Sequence, residues 1–498
     1  MSHLFTSARW WRDGSSCNLH VSTDGKVTYR GPDEPFADDE TDLQGAFILP
    51  GFVDCHCHIL ATGLDLQKLD LTGCASREGV LDRVRERAAV TLEYGWLLAV
   101  QYDQTRFEDG RHLTADELET ATNGLPAILR HTSGHACIAN RTAVDLADTS
   151  DEKSGEIVRD EAGIPTGVLL EKAMQAVYRL LPKPTRQEMS DAILAAAQRM
   201  SGMGITSAAD MGSTHDLEDQ IWAYRNAAER GARLRMRLYP NWSQVFKSKI
   251  DLAELLPPSP MLRIGGVKLY ADGAIGAATA ATYEEFTVGG TGQLMYPAEE
   301  LQRRVSIADE AGYSIAIHSI GDRSTDVVLD ALASTRDPSR HRIEHAMILS
   351  DAQIARIVAL GVCVSMQPEF LLRFDHAYKR QLGDERASRL KRVRSLLDAG
   401  VALGFSSDTP IVPGNPWDGI RMATEHPTEA IAYDEAVDLY TRGAAALDDD
   451  EDFGRLDLMQ FADFQVYAEN PREQPSPGPR LVAFEGITAA PSSHGAEA

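Results

Sequence analysis

The chain has no apolar run approaching the roughly 20 residues that a membrane span requires. It also has no basic excess: 49 Lys and Arg stand against 74 Asp and Glu, a formal net charge of -25. The first absence argues against a transmembrane protein. The second argues against nucleic acid or an anionic membrane as partner, because both need a basic footprint. Cysteine is sparse as well. The six thiols, Cys17, Cys55, Cys57, Cys74, Cys137 and Cys363, follow no framework spacing and read as reduced thiols of a cytoplasmic protein. No secretory signal is expected, since Arg9, Trp10, Trp11, Arg12 and Asp13 interrupt the place where its apolar region would lie. What remains is a chain of 498 residues, too long for one ordinary domain, whose expected partner is a small molecule. A homodimer is compatible with these bounds.

The most informative stretch runs from Leu49 through Pro50 and Gly51 to Asp54-Cys55-His56-Cys57-His58. In a strand, alternate side chains share a face, so His56 and His58 point one way while Cys55 and Cys57 pack on the other as small hydrophobes. Two imidazoles hold a metal ion from one side only, and the remaining ligands of a zinc-like ion must come from elsewhere in the chain.

Before this stretch, short β-type runs alternate with turn signals, including a hairpin at Thr23-Asp24-Gly25 and a strand through Ala46-Phe47-Ile48. From 187 to 448, strand-like runs at 204–210, 234–240, 264–271, 313–318, 342–345, 362–366 and 401–407 alternate with helical periods such as 298–311, 324–334, 351–360 and 390–399. With the opening strand these make eight, the count of a (β/α)8 TIM-type barrel with its site at the carboxyl ends of the strands. Residues 61–186 exceed any single βα unit and form an insertion after strand 1, expected over the barrel mouth. After a charged run at 448–452, read as a solvated loop, β patterns return at 464–467 and 481–484. The expected α/β architecture is a small β-sandwich from 1–48 plus 449–498, a barrel from 49–60 plus 187–448, and the insertion.

Several ionisable residues stand where barrel strands should end: Lys268 on strand four, His318 on five, His345 on six and Asp408 on eight. Each has an ordinary explanation. Lys268 could pair with Asp272, and Asp408-Thr409-Pro410 could be a turn. Independent structural causes would scatter such residues, however, and here they gather with His56 and His58 at one end of one barrel. His341 begins its strand and belongs to the opposite end. His3, His20, His112, His215, His376, His426 and His494 lack supporting context.

These segments resemble the amidohydrolase superfamily, and within it amidohydrolase family 3, the YtcJ-like metal-dependent hydrolases. Residues 49–58 resemble its PGFxDxHxH opening, 266–276 its VKxxxDGxxG stretch, His318 to Asp322 its HxxGD motif, Arg342 to His345 its RIEH motif, 404–410 its GxxSDxP segment, and 156–171 its GEIxRDxxGxPTGVLxE segment. The resemblance implies a binuclear, usually zinc, site. His56, His58 and Asp408 would hold one ion, His318 and His345 the other, and Lys268 would bridge them as a carbamate formed with carbon dioxide. A bridging hydroxide would attack a non-peptide amide, formamide or carbamate-like carbon-nitrogen bond, with Asp408 as general base and then acid. His131, His135, Asp272, Asp322 and Gln367 are candidates for the substrate pocket. Two departures from the pattern, Gly276-Ala277-Ala278-Thr279-Ala280 without arginine and His131 to Cys137 without tryptophan, make the family's substrate habits a weak guide. The alternatives are an ester or lactone hydrolase using the same metals, a mononuclear deaminase, which Gly321 disfavours by standing where that branch has glutamate, and a non-catalytic scaffold.

Overall fold

A computed structural model of the chain describes residues 1–91, 95–132, 136–147, 157–170, 173–212, 215–474 and 478–489. The chain divides into two compact units, 1–62 with 193–498 and 63–192.

In the first unit, the strands that carry the candidate ligands are all parallel. One sheet orders Phe52–Cys57, Ile205–Asp210, Arg235–Leu238 and Leu262–Ile264; the other orders Val267–Tyr270, Ile315–Ser319, Arg342–His345, Cys363–Met366 and Leu403–Phe405. Backbone hydrogen bonds join the two sheets at both edges, from Lys268 N to Pro240 O (2.9 Å) on one side and from Asp408 N to His56 O (2.7 Å) on the other. The sequence pattern runs 264–271 as one strand, whereas the structure breaks it at Gly265-Gly266. A Cβ on Gly266 would lie 2.3 Å from the Ser314 carbonyl, so the break is the price of a close approach by the next strand.

The helices follow their local signals. Ser350 caps Asp351–Leu360 in a reciprocal pair with Gln353, and Gly361, at φ 68°, ends it. Arg342–His345 and Asp351–Leu360 occupy the spans that periodicity assigns them. Among the described residues no helix is long and apolar enough to cross a membrane.

The chain ends form two further sheets. His3–Thr6, Asn18–Val21, Val27–Gly31 and Asp39–Asp42 make one; Arg9–Trp10, Phe47–Pro50, Phe464–Tyr467, Leu481–Phe484 and Ile487–Ala489 make the other. Phe5, Leu19, Val21, Ile48, Phe464 and Val466 share one apolar core between them. The handover into the parallel sheets takes two residues. Pro50 pairs with Phe464, Gly51 N donates to Asp463 O (2.9 Å), and Phe52 N already donates to Gly204 O (2.9 Å).

The acidic run at 448–452, expected as a solvated loop, is one only in part: Asp449, Glu451 and Asp452 are exposed, whereas Asp448 and Asp450 turn inward. Asp448 is buried and accepts from Tyr239 Oη (2.7 Å) and Arg342 Nη1 (3.1 Å), while Asp450 accepts from Arg237 Nε (2.6 Å) and lies 3.1 Å from Arg263. Arg237, Arg263 and Arg342 sit on parallel strands, and a buried guanidinium without a partner is strongly destabilising. The run supplies their counter-charges.

The second unit has a six-stranded sheet in the order Ile157–Arg159, Pro165–Leu170, Ala136–Ala139, Ala127–His131, Leu97–Tyr102, Leu69–Asp70, with its own core around Leu71, Val84, Leu118 and Ile138. Ile157–Arg159 and Pro165–Leu170 form an antiparallel hairpin within the segment that carries the GEIxRDxxGxPTGVLxE resemblance. Glu156 and Glu171 lie outside the described residues.

Arg235 and Asp463, both fully buried, join the parallel strands to the terminal sheets through bonds of 2.7 and 3.2 Å. Asp463→Asn is expected to lower stability by about 3 kcal/mol, the usual cost of orphaning one member of a buried pair. The urea midpoint reads this, and an unchanged midpoint would mean that Glu485 and the surrounding rings suffice for Arg235.

Candidate metal centre

Asp54, His56 and His58 alternate along the first strand and share a face, as the pleat requires. Asp54 ties that strand to the eighth. Its carboxylate accepts from Ser407 Oγ (2.5 Å) and Ser407 N (3.0 Å), which sets Asp408 beside the two histidines. Asp408 Oδ1 lies 3.4 Å from His56 Nε2 and 3.1 Å from His58 Nε2. Lys268 Nζ lies 3.5 Å from His56 Nε2. The ring of His345 is 4.7 Å from that of His56 and 4.6 Å from that of His318. Candidate ligand atoms of His56, His345 and Asp408 all fall within 4.8 Å of one another. All six expected ligands are therefore brought to one place, and the tightest trio draws on both of the expected ligand sets.

Two ligand positions carry backbone strain. His345 has φ 75° and Asp408 φ 63°, conformations that L-residues seldom adopt. At His345 the cause is plain. Pleat alternation would set it on the face opposite Glu344, yet both residues contact His56; the positive φ breaks the alternation at the strand end.

Each histidine has one ring nitrogen against a fixed partner. His56 Nδ1 meets Glu344 Oε2 (2.5 Å), His58 Nδ1 the Gly212 carbonyl (3.1 Å), His345 Nδ1 Gln367 Oε1 (2.8 Å), and His318 Nε2 the Gly273 carbonyl (3.0 Å). An acceptor holds the proton on the nitrogen it faces and leaves the other nitrogen a lone pair. When neutral, His56 and His58 thus turn lone pairs toward Asp408 Oδ1, a buried carboxylate oxygen with no other hydrogen bond. Acceptors facing acceptors are unfavourable unless a cation or a proton stands between them. This donor set fits a divalent metal.

The electrostatics set His58 apart from His318 and His345. Burial lowers the proton affinity of His318 and His345, and for His345 the neighbouring His318 and His56 add to the effect, so both stay neutral. Burial works against a proton on His58, but Asp408 outweighs it and raises the value. Burial would also raise the Asp408 carboxyl, yet the two histidines hold it well below the usual range. Lys268 is fully buried, and burial brings it down to about 8.

Of the expected pocket residues, Asp272 and Gln367 are buried beside candidate ligands, Asp272 Oδ1 at 3.6 Å from His318 Nε2. The Asp272 carboxylate accepts from Ala281 N (2.9 Å), Ile320 N (3.0 Å), Gly321 N (2.8 Å) and Ser324 Oγ (2.7 Å), so it organises the loops after strands four and five and does not pair with Lys268. Gln367 is buried and holds His345. Asp322 opens helix Asp322–Leu332 and accepts from Tyr283 N (3.0 Å). His131 belongs to the second unit, where its ring lies 6.2 Å from that of Tyr102 and 6.1 Å from that of His112. His135 lies outside the described residues.

Sequence reasoning missed Glu344 and Lys391. Glu344 is buried between Arg342 Nε (2.6 Å) and His56; burial would raise its carboxyl, but Arg342 and His56 hold it far below the ordinary value. Its place in Arg342-Ile343-Glu344-His345, two residues from an arginine on the same strand face, was the available signal. Lys391, in a segment read as plain helix, is buried without any such signal. Cys55 and Cys57 are buried as expected, and Cys55 packs on Ala444, Ala445 and Leu447.

Residues 39–486 match the Amidohydrolase family. The chain is 28% identical to the protein YtcJ of Bacillus subtilis (strain 168), over 90% of this chain and 89% of that one. It is also 28% identical to the N-substituted formamide deformylase of Arthrobacter pascens, over 84% of this chain and 82% of the other. Among solved structures, an uncharacterized metal-dependent hydrolase from Pyrococcus furiosus superposes with a TM-score of 0.78 at 27% identity, covering 95% of this chain and all (100%) of that one. These likenesses imply a TIM-barrel-type fold of mixed α/β content.

Glu344→Gln keeps the shape of the contact with His56 and removes its charge. It is expected to weaken zinc affinity by about 10- to 100-fold, the usual effect of losing a carboxylate behind a ligating histidine. Competition with a chelating dye measures this, and unchanged affinity would remove Glu344 from the centre.

Proposed function

The chain belongs to the amidohydrolase family and is a metal-dependent hydrolase, and on that premise we propose that it cleaves a carbon-nitrogen bond in a small non-peptide amide, formamide or carbamate-like compound. The observation that carries this reading is the convergence of His56 Nε2 and His58 Nε2 on one oxygen of Asp408, beside a buried lysine. His56, His58 and Asp408 would hold one ion, His318 and His345 a second, and Lys268 would lie between them as a carbamate, with zinc the favoured metal. When bound, the ions supply an activated water and polarise the substrate carbonyl.

The chain's own groups do the rest. Asp408, kept ionised by His56 and His58, is placed to take a proton from the attacking water and return it to the leaving amine. Lys268 must lose its proton before it reacts with carbon dioxide, and burial favours that loss. Glu344, Gln367 and the Gly212 and Gly273 carbonyls fix the four imidazoles, so no reorientation is needed during turnover.

The Arthrobacter relative, an N-substituted formamide deformylase, supports the choice of bond. The deaminase alternative is weakened further. A Cβ at Gly321 would lie 1.9 Å from the Ala281 carbonyl, leaving no room there for a glutamate side chain. We read the two parallel sheets as one eight-unit barrel, the terminal sheets as a β-sandwich, and 61–186 as an insertion after the first barrel strand. The net charge of -25 supports a small-molecule partner in the cytoplasm.

Purified protein is expected to carry about two divalent ions per chain by elemental analysis; none under metal-replete conditions would sink the reading. Asp408→Asn should lose at least about 100-fold in kcat while staying folded, and Lys268→Ala should lose metal. A panel of N-acyl, N-formyl, carbamate and lactone compounds tests the bond, and preference for the lactones would replace amide by ester chemistry.

A further inference from the structure

Lys391 is a buried cation that hydrolysis leaves without a task. It is fully buried (0% exposed), so it meets no substrate directly. Its backbone N–H donates to Met347 O (3.0 Å), at a φ of 59°. Its Nζ sits 5.0 Å from the centre of the Phe370 ring and donates to Gln367 Oε1 (3.1 Å).

That oxygen is also the partner of His345 Nδ1 (2.8 Å), while Gln367 Nε2 donates to Ser406 Oγ (2.9 Å) and reaches Ser365 Oγ at 3.4 Å. Three of these four partners are indifferent to which way the amide faces. A serine hydroxyl donates or accepts as required, and a neutral imidazole nitrogen does either according to its tautomer. An ammonium only donates. Nζ alone therefore decides that the amide oxygen, and not the amide nitrogen, faces His345. In the reverse orientation the amide NH2 would abut Nζ, donor against donor. It would also donate to Nδ1, which would drive the imidazole proton to Nε2, the nitrogen that a metal needs free.

We propose that Lys391 is a positioning residue that locks the Gln367 amide and, through it, the Nδ1–H tautomer of His345. The proposal rests on the reading of His345 as a metal ligand only for its consequence; the tautomer itself is a property of the metal-free chain.

The test is long-range 1H–15N correlation on metal-free protein labelled in histidine, at pH 6, below the value of about 7 to which burial brings Lys391. Wild type should show His345 as the Nδ1–H tautomer. Lys391→Met should mix in the Nε2–H form and weaken zinc affinity at least about tenfold. Lys391→Arg, also a pure donor, should keep Nδ1–H. Gln367→Glu added to Lys391→Met restores an acceptor that cannot turn into a donor while ionised, and should return both tautomer and affinity toward wild type. An Nε2–H form in wild type overturns the proposal without any variant being needed. So does an unchanged tautomer in Lys391→Met, or a loss that Gln367→Glu does not repair, since either assigns Lys391 to packing. If wild type shows Nδ1–H but binds no zinc, the metal reading fails and the lock is judged by the Lys391→Met tautomer alone.

Discussion

The pair Arg342–Glu344 governs how charge is distributed through the parallel sheets. Two residues apart on one strand, they share a face, and the guanidinium lies 2.6 Å from the carboxylate with neither exposed to water. An isolated buried charge costs several kcal/mol, so each end of the pair must be continued. Toward the strand starts, Arg342 continues to Asp448, which Tyr239 also holds; toward the strand ends, Glu344 continues to His56. The acidic stretch after the last helix and the histidines at the strand ends thus belong to one electrostatic chain through the interior. Its low local dielectric strengthens every link and makes a missing one expensive.

The same economy shapes the outer shell of the centre. Two histidines are held by backbone carbonyls, Gly212 and Gly273, and two by side chains, Glu344 and Gln367. Each carbonyl lies one or two residues beyond a carboxylate that ties down nearby loops. Asp210 accepts from Gly212 N (3.0 Å) and from the Tyr224 hydroxyl, and Asp272 gathers the loop after strand five. Each imidazole is thus aimed by a group that is itself anchored.

Much of this was legible in the sequence, and the remainder was hidden for identifiable reasons. Strand alternation was enough to put His56 and His58 on one face and the cysteines on the other. Period marked Asp351–Leu360, and the placing of charged residues at strand ends gathered the six candidate ligands. Asp272 and Gln367 looked like pocket residues because a polar side chain at a strand end has the same sequence signature whether it faces a substrate or a neighbouring loop. The run at 448–452 looked solvated because its partners, Arg237, Arg263 and Arg342, are distant in sequence. Lys391 gave no sign, since what makes it unusual is the absence of water around it. The six-stranded sheet of the second unit was visible only in pieces, because Ala136–Ala139 and Leu69–Asp70 are too short to carry a period of their own.

The handover at Gly51 has a consequence for how the chain comes into being. The strand that precedes His56 pairs with Phe464–Tyr467, and the Gln465 side chain donates to the Pro50 carbonyl across 415 residues. During synthesis, Phe47–Pro50 leaves the ribosome long before its partner exists, and that edge stays open until Phe464–Tyr467 has been made. Contacts this far apart form late, because their loop entropy must be met before they return anything. The register of the first histidine strand is therefore completed by a strand made far later, and until then the nascent chain carries an unpaired, apolar edge at Phe47–Pro50.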